Sequence, residues 1–364
     1  VVDASPRNAG PSFLRRHRLA IGASIAVGLG FAWLLRAGAL PVLPRWEALA
    51  VVRPWTIVAY ALIYLASLYL RSHRWAFLLA PIHPVPLRRV LAVSFIGYGA
   101  LVLLPFRLGE VVRPALIRKE GKLSGWSATG TIAAERVIDG LVLSAGLFVA
   151  LALDHPLSPL PDHIGDLAVP VALVPAAAYS ALVVFASAFA VLGAFYFFRA
   201  QATRALDAVL GLVSKSLARR VSSAASRLAD GLHFLPRPAP TAAYFAATVL
   251  YFGLNAAGVE LLLWGAGIAP VDFTRACVLV GVLNLGVLLP NAPGYFGAFQ
   301  LSIYAGLAMY YPPERIVSAG SAVVFLLYVL QMGLVIVAAA LALFVEHVSP
   351  SEALAAGEAE PESP

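Results

Sequence analysis

Apolar residues run in long, nearly unbroken blocks through most of this chain, the pattern of helices that meet apolar surroundings on every face. A spanning helix needs about 20 such residues, and six blocks are read as spans: Leu19 to Leu35, Trp55 to Leu70, Trp126 to Leu153, Ala168 to Phe198, Ala242 to Gly267 and Val317 to Val345. Two more, Leu87 to Leu104 and Phe273 to Leu289, run into Leu-Leu-Pro with a glycine soon after. Proline removes a backbone donor and glycine permits a tight reversal, so both stretches are predicted to dip into the bilayer and leave by the face they entered. The pattern predicts an all-α polytopic membrane protein of about six transmembrane helices plus two re-entrant helical hairpins, at about 87–120 and 272–311, within a membrane domain of residues 19–346.

The two interruptions resemble each other. LVLLPFRLGEVVRPAL (101–116) and GVLLPNAPGYFGAFQL (286–301) share Leu-Leu-Pro and a glycine four residues after the proline: Pro105 with Gly109, Pro290 with Gly294. Three spans separate the copies, an odd number, so the second hairpin is predicted to enter from the opposite face, making an inverted repeat. In transporters such repeats set broken helices against each other near the midplane, where freed backbone groups meet substrate or ions. Non-helical backbone at that depth is tolerated only inside protein or along a water-filled cavity. Pro105, Gly109, Pro290, Pro293, Gly294 and Gly297 are therefore expected to shape a cavity. The plainer alternative is that Leu-Leu-Pro merely ends two helices.

Composition agrees with the pattern: 60% of the 364 residues are hydrophobic and 12% charged, and the mean hydropathy is +0.84, outside the range of soluble domains. The net charge of +7 comes without an aromatic-basic recognition module, so no nucleic-acid partner is expected. Its distribution orients the chain instead. With the N-terminus cytoplasmic and both hairpins re-entrant, 18 of the 26 Lys and Arg fall on the cytoplasmic side, five outside and three at membrane depth. A full crossing by 87–104 would reverse that asymmetry. Both termini are thus expected in the cytoplasm, as an N-terminal segment (1–18) and a disordered Ser/Pro/Ala/Glu-rich tail (347–364). Arg15, Arg16 and Arg18 precede the first block, but it is long for a signal peptide and lacks a convincing cleavage site, so it is read as a retained anchor. The single Cys277 excludes an internal disulfide and a cysteine-based metal cluster.

Charges at membrane depth carry the candidate chemistry. In AERVIDG (134–140), Glu135 and Asp139 are four apart and share a helix face, with Arg136 turned aside by about 100°. Isolated charges there cost at least about 2.5–3.5 kcal/mol each, so partners are needed. The first hairpin supplies them: Arg107, Arg113 and Arg136 are set against Glu110, Glu135 and Asp139, and Glu260 adds an unmatched acid. Arginine's planar fork suits phosphate, so a cavity with Arg107 and Arg113 at its mouth is expected to hold a phospholipid headgroup or a prenyl phosphate. The alternative is that the six residues form a bracing network.

Smaller signals add little. Leu206, Leu210, Val213, Leu217, Val221, Ala224, Leu228 and Leu232 recur at steps of three and four, predicting an interfacial amphipathic helix over about 201–235. Asp154, His155, Asp162, His163 and Asp166 lie in one loop at a spacing that fits no standard metal site. No HExxH, P-loop, dinucleotide fingerprint or GxSxG occurs, so neither a cofactor, a metal nor a catalytic constellation is expected.

RSHRW (71–75), LPFRLGEVVR (104–113), AERVIDG (134–140) and PNAPGYFGAFQ (290–300), in that order, resemble the flippase-like transmembrane region of the lysylphosphatidylglycerol synthase family over about residues 15–345. The resemblance implies a bacterial inner-membrane protein that moves a lipid or lipid-linked headgroup between leaflets, without enzymatic activity. It implies a polar path lined by Arg107, Glu110, Arg113, Glu135, Arg136 and Asp139, with Asn291, Pro293 and Gly294 on the opposing hairpin, and a structural motif at Arg71, Arg74 and Trp75. Relatives often carry an acid where this chain has Gln300, so Gln300 is expected to line the path without a charge. The soluble aminoacyltransferase domain of full synthases has no counterpart among these residues, so aminoacyl-lipid synthesis is not expected. The expected partner is a membrane lipid, phospholipid or prenyl phosphate. A homo-oligomer is compatible with it, and the alternative role is non-catalytic partner of an envelope glycosyltransferase or carrier-lipid recycling protein.

Overall fold

A computed structural model describes residues 18–349, apart from 105–108, 119–124, 169, 212–213, 215, 217–220, 223–231, 233–234 and 289–291. The principal helices are α1 (Arg18–Ala37), α2 (Pro54–His73), α3 (Trp75–Leu79), α4 (Leu87–Leu103), α5 (Val112–Arg118), α6 (Gly125–Leu153), α7 (Leu173–Phe197), α8 (Arg199–Gly211), α9 (Pro238–Gly265), α10 (Phe273–Gly286), α11 (Ala298–Ala308) and α12 (Ser321–Val345). Among the described residues the only β pairing is an isolated bridge, Ile164 to Leu167. The protein is an all-α polytopic membrane protein.

Among the described residues, five helical segments are long and apolar enough to cross a membrane: Pro54–Leu79, Ser127–Leu153, Leu173–Phe197, Pro238–Gly265 and Pro313–Val345. The first block, expected as a sixth span, forms α1, whose 20 residues at about 1.5 Å each reach the roughly 30 Å hydrocarbon core, although its apolar part, Ile21–Ala37, is shorter. Large apolar side chains such as Leu62, Val183 and Leu341 point outward, the arrangement that lipid favours. Trp33, Trp46 and Trp55 are also exposed. Trp55 meets Trp264 edge-on, and Arg53 lies 3.7 Å from the Trp264 ring centroid, the amphipathic aromatics of a membrane boundary.

After both α4 and α10 the chain returns along the helix it has just left. In the first hairpin, a Cβ on Gly109 would come within 2.2 Å of Leu101 N, and one on Gly97 within 2.2 Å of Arg113 Cγ. Farther down, Arg89 Nη2 donates to Leu116 O, so α5 runs antiparallel along α4. In the second, a Cβ on Gly286 would strike the Ser302 side chain and Gly306 packs on Leu279, so α11 returns along α10. Asp272 starts α10 by accepting the Arg275 N–H at 2.9 Å, while Gly294 and Gly297 take positive φ at the turn.

α6 shows how the hairpins sit. The first opens beside its N-terminal end, where Arg118 precedes Gly125 and Arg113 bonds Glu135. At the other end, Arg275 in the first turn of α10 donates from Nε to Asp154 Oδ2 at 2.7 Å. There too, Leu157 N–H donates to Met309 O at the close of α11. The hairpins therefore open at opposite ends of α6. Around them α2 packs antiparallel to α9, with Gly258 against Tyr60 and Gly265 against Thr56, and Gly99 of α4 against Ala339 of α12. Such small residues let membrane helices approach closely.

Of the amphipathic helix expected over 201–235, α8 forms its first part. Most of the remainder, together with residues 1–17 and 350–364, lies outside the described residues.

Candidate functional site

The first hairpin, α2, α3 and α6 bring four arginines and three acids together. Gly97 leaves room for the Arg113 side chain to lie flat along α4, so its fork reaches Glu135 at 3.1 and 3.0 Å. The other face of that guanidinium covers Trp75, 4.2 Å from the ring centroid. Trp75 is fixed in turn by donating to Thr131 Oγ1 at 3.0 Å. Arg74, fully buried, makes a forked pair with Asp139, with Nη2 2.6 Å from Oδ2. Its Nη1 also donates to Thr248 Oγ1 at 2.9 Å. Thr248 spends its own proton on Tyr244 O and so presents a lone pair to Arg74. Arg136 Nη2 bridges Glu135 Oε1 and, at 3.5 Å, Asp139 Oδ2. Each buried carboxylate thus meets a parallel fork, the geometry that offsets the cost of removing charge from water.

Above this network lies a cavity of about 360 Å³. Arg71, Arg136, Glu110 and Asp139 supply its charged wall, Asn255, Asn284 and Gln331 its amides, and Tyr64, Tyr98, Tyr251 and Tyr295 much of the rest. Arg71 stands one turn before Arg74 and reaches over the Tyr98 ring at 4.5 Å and toward Tyr251 at 5.8 Å. Among the described residues no carboxylate comes within ion-pairing distance of Arg71.

The expected site residues fare differently. Glu110, Arg136 and Asp139 line the cavity, and Glu135 and Arg113 lie buried behind it, so Arg113 is no mouth residue. Arg74 and Trp75, expected only as a structural motif, hold Asp139 and Arg113. Glu260 is not in the cavity wall: five residues past Asn255 on α9, it is turned about 140° away. On the second hairpin Pro293 is exposed, Gly294 packs near Tyr328, Gly297 is pressed against Phe31, and the neighbouring Tyr295 lines the cavity. Gln300 is buried and its Oε1 accepts the Gly297 N–H at 2.7 Å, which makes it a helix cap rather than a wall residue. Pro105, Arg107, Pro290 and Asn291 lie outside the described residues.

Sequence reasoning did not single out the tyrosines, Asn255, Asn284 or Gln331. The amides carried a usable signal, since polar residues inside apolar spans are costly and mark functional positions.

The chain matches the family model described as the lysylphosphatidylglycerol synthase TM region over residues 21–334. It belongs to that family. Comparisons with curated proteins and with solved structures gave no match. The match spans both hairpins and every cavity-lining residue up to Gln331 and Met332, leaving only Val335 of α12 beyond it.

Proposed function

We propose that this protein is a lipid translocator of a bacterial inner membrane, with both termini cytoplasmic. A phospholipid or prenyl-phosphate headgroup enters the cavity between the two hairpins while its acyl chains stay in the bilayer. The hairpins act as the halves of an inverted repeat, and rocking one against the other opens the cavity to each leaflet in turn. One observation carries this reading: Arg71, at the wall of a cavity inside a membrane protein, has no carboxylate partner among the described residues. A cation held there is costly unless an anion joins it, and phosphate suits a guanidinium.

The protein acts here without bond chemistry. Among the described residues the cavity wall holds neither His nor Cys, and Ser67 donates its hydroxyl to Ile63 O at 2.9 Å, so no His-activated serine or cysteine nucleophile favours an enzymatic reading.

Reconstitution into liposomes with a panel of labelled lipids tests the proposal, leaflet exchange being scored for wild type and Arg71→Ala. Exchange of an anionic lipid that Arg71→Ala abolishes supports it. Failure of folded wild type to exchange any lipid overturns it in favour of a non-catalytic partner of an envelope glycosyltransferase or carrier-lipid recycling protein.

A further inference from the structure

One arginine at the base of each hairpin stands in the same place. Arg89 is the third residue of α4 and Arg275 the third of α10. Each is paired with the acid that directly follows a spanning helix: Arg89 with Glu346 after α12, and Arg275 with Asp154 after α6. The pairing is crossed. The hairpin of the N-terminal half (α2–α6) is held to the last span of the C-terminal half (α9–α12), and the hairpin of the C-terminal half is held to the last span of the N-terminal half. Each arginine also meets the returning limb of its own hairpin. Arg89 Nη2 donates to Leu116 O at 3.4 Å, and the Arg275 guanidinium lies 5.2 Å from the ring centroid of Tyr310, just past α11.

Helix stability does not account for these charges. An arginine in a first turn faces the positive end of the helix dipole and an acid after a last turn faces the negative end, so each of the four groups sits where its own helix disfavours it. Paired, each offsets the other. All four residues are half-buried, within reach of water, unlike the buried Arg74–Asp139 and Arg113–Glu135 forks behind the cavity. Bonds of this kind are easily broken and remade.

A pivot lies close by in each case. A Cβ on Gly99 of α4 would meet Ala339 Cβ of α12 at 2.4 Å, and one on Gly281 of α10 would meet Leu147 Cβ of α6 at 2.9 Å. Ala339 and Leu147 each stand seven residues before the paired acid, about 10 Å along the helix. A tilt of about 10° about such a contact carries the acid about 2 Å, enough to part a hydrogen-bonded pair.

We infer that Arg89–Glu346 and Arg275–Asp154 are reciprocal latches, each closing the cavity at its own face of the membrane and each broken when the two halves rock to open that face. The inference rests on the translocator reading for the purpose of the motion, but the motion is measured without lipid transport. Both latches are closed in this structure.

Accessibility of the cavity from each face tests this. Leu143, in the cavity wall on α6, is replaced by Cys in the Cys277→Ala background, and its reaction with an impermeant methanethiosulfonate is timed in right-side-out and inverted membrane vesicles. Asp154→Asn is expected to speed reaction about fivefold from the face where α6 ends and not from the other. Glu346→Gln is expected to do the same from the face where α6 begins. Fivefold is the population shift given by about 1 kcal/mol, the upper end for an exposed ion pair. The variant carrying both substitutions is expected to return the ratio of the two rates to its wild-type value. Hydrogen–deuterium exchange on the single variants needs no added cysteine: Asp154→Asn is expected to loosen the first turn of α10 and not that of α4, and Glu346→Gln the reverse. Unchanged protection at both hairpins, or loosening of both by either variant, overturns the inference, as do cysteine rates that shift together from the two faces. Opposite shifts in a protein that moves no lipid between leaflets sustain the latches and remove the translocator reading, while lipid movement without opposite shifts does the reverse.

Discussion

Arg74, at the junction of α2 and α3, and Asp139 of α6, 65 positions apart, join through a two-bonded fork with the arginine wholly buried. That pair ties α2 to α6, and Thr248 ties both to α9. Removing one partner leaves the other with a single longer ion-pair contact, Arg136 to Asp139 at 3.5 Å or Arg74 to Glu135 at 3.6 Å, so the cost is expected to reach at most about 3–5 kcal/mol, that of a broken buried pair. Arg74→Ala and Asp139→Leu are each expected to lower the unfolding midpoint in detergent strongly, and Arg74→Met/Asp139→Leu is expected to recover much of the loss. Thermal unfolding of the three variants checks this. Additive losses in the double variant would show that the two side chains do not act as a pair.

Arg71 is the contrasting case. It makes no ion pair among the described residues, and its ring contacts with Tyr98 and Tyr251 are worth about 0.5–2 kcal/mol. Arg71→Gln is therefore expected to cost at most that much stability while losing anionic-lipid binding at least tenfold, as expected for a charge-assisted bond of about 1.5–3 kcal/mol. Melting and lipid binding measured on the same preparation separate the two effects. A loss of stability matching that of Arg74→Ala would place Arg71 in the bracing network instead.

What could be read from the chain and what could not divide along a physical line. Span lengths and hairpins are local: apolar run length, Pro and Gly announce them, and α4 and α10 end near the predicted interruptions. The pairing of charges is not local. The sequence expects Glu135 and Asp139 to face the first hairpin, and Glu135 does, but Asp139 turns to Arg74 because the junction of α2 and α3 lies on that side of α6. Helical phase decided Glu260, which lies off the cavity while Asn255 on the same helix lines it. Gln300, expected on the path, caps α11 instead, and its place three residues after Gly297 is the spacing of a capping residue that reaches back.

Gly109 has no room for a side chain. A Cβ there would lie 2.2 Å from Leu101 N and 2.3 Å from Ala100 C, backbone atoms that cannot rotate aside. Gly109→Ala is expected to force α5 off α4 and destabilise the protein by about 1–3 kcal/mol. Because Arg113 follows on the same limb, lipid binding should fall as well. A cysteine pair at Gly97 and Arg113, in a background with Cys277 replaced by Ala, reports the spacing directly. Unchanged cross-linking and melting after Gly109→Ala would mean that the hairpin closes without this contact.

The opposed hairpins make a prediction about sidedness. Arg88, exposed at the base of the first, lies at the end of the molecule where α6 begins, and Asp272, exposed at the base of the second, lies where α6 ends. A helix as long and apolar as α6 crosses the bilayer, so its two ends lie in different compartments. With the basic excess cytoplasmic, Asp272→Cys in the Cys277→Ala background should react with an impermeant maleimide added outside intact cells. Arg88→Cys should react only after the membrane is opened. Both residues lie outside the hairpin tips, so labelling does not depend on whether the cavity is open. Labelling of the two positions from one side would mean that one hairpin crosses completely. The guanidinium groups of Arg71 and Arg136 would then line a path with no second gate, and alternating access would have no opposing half to rock against.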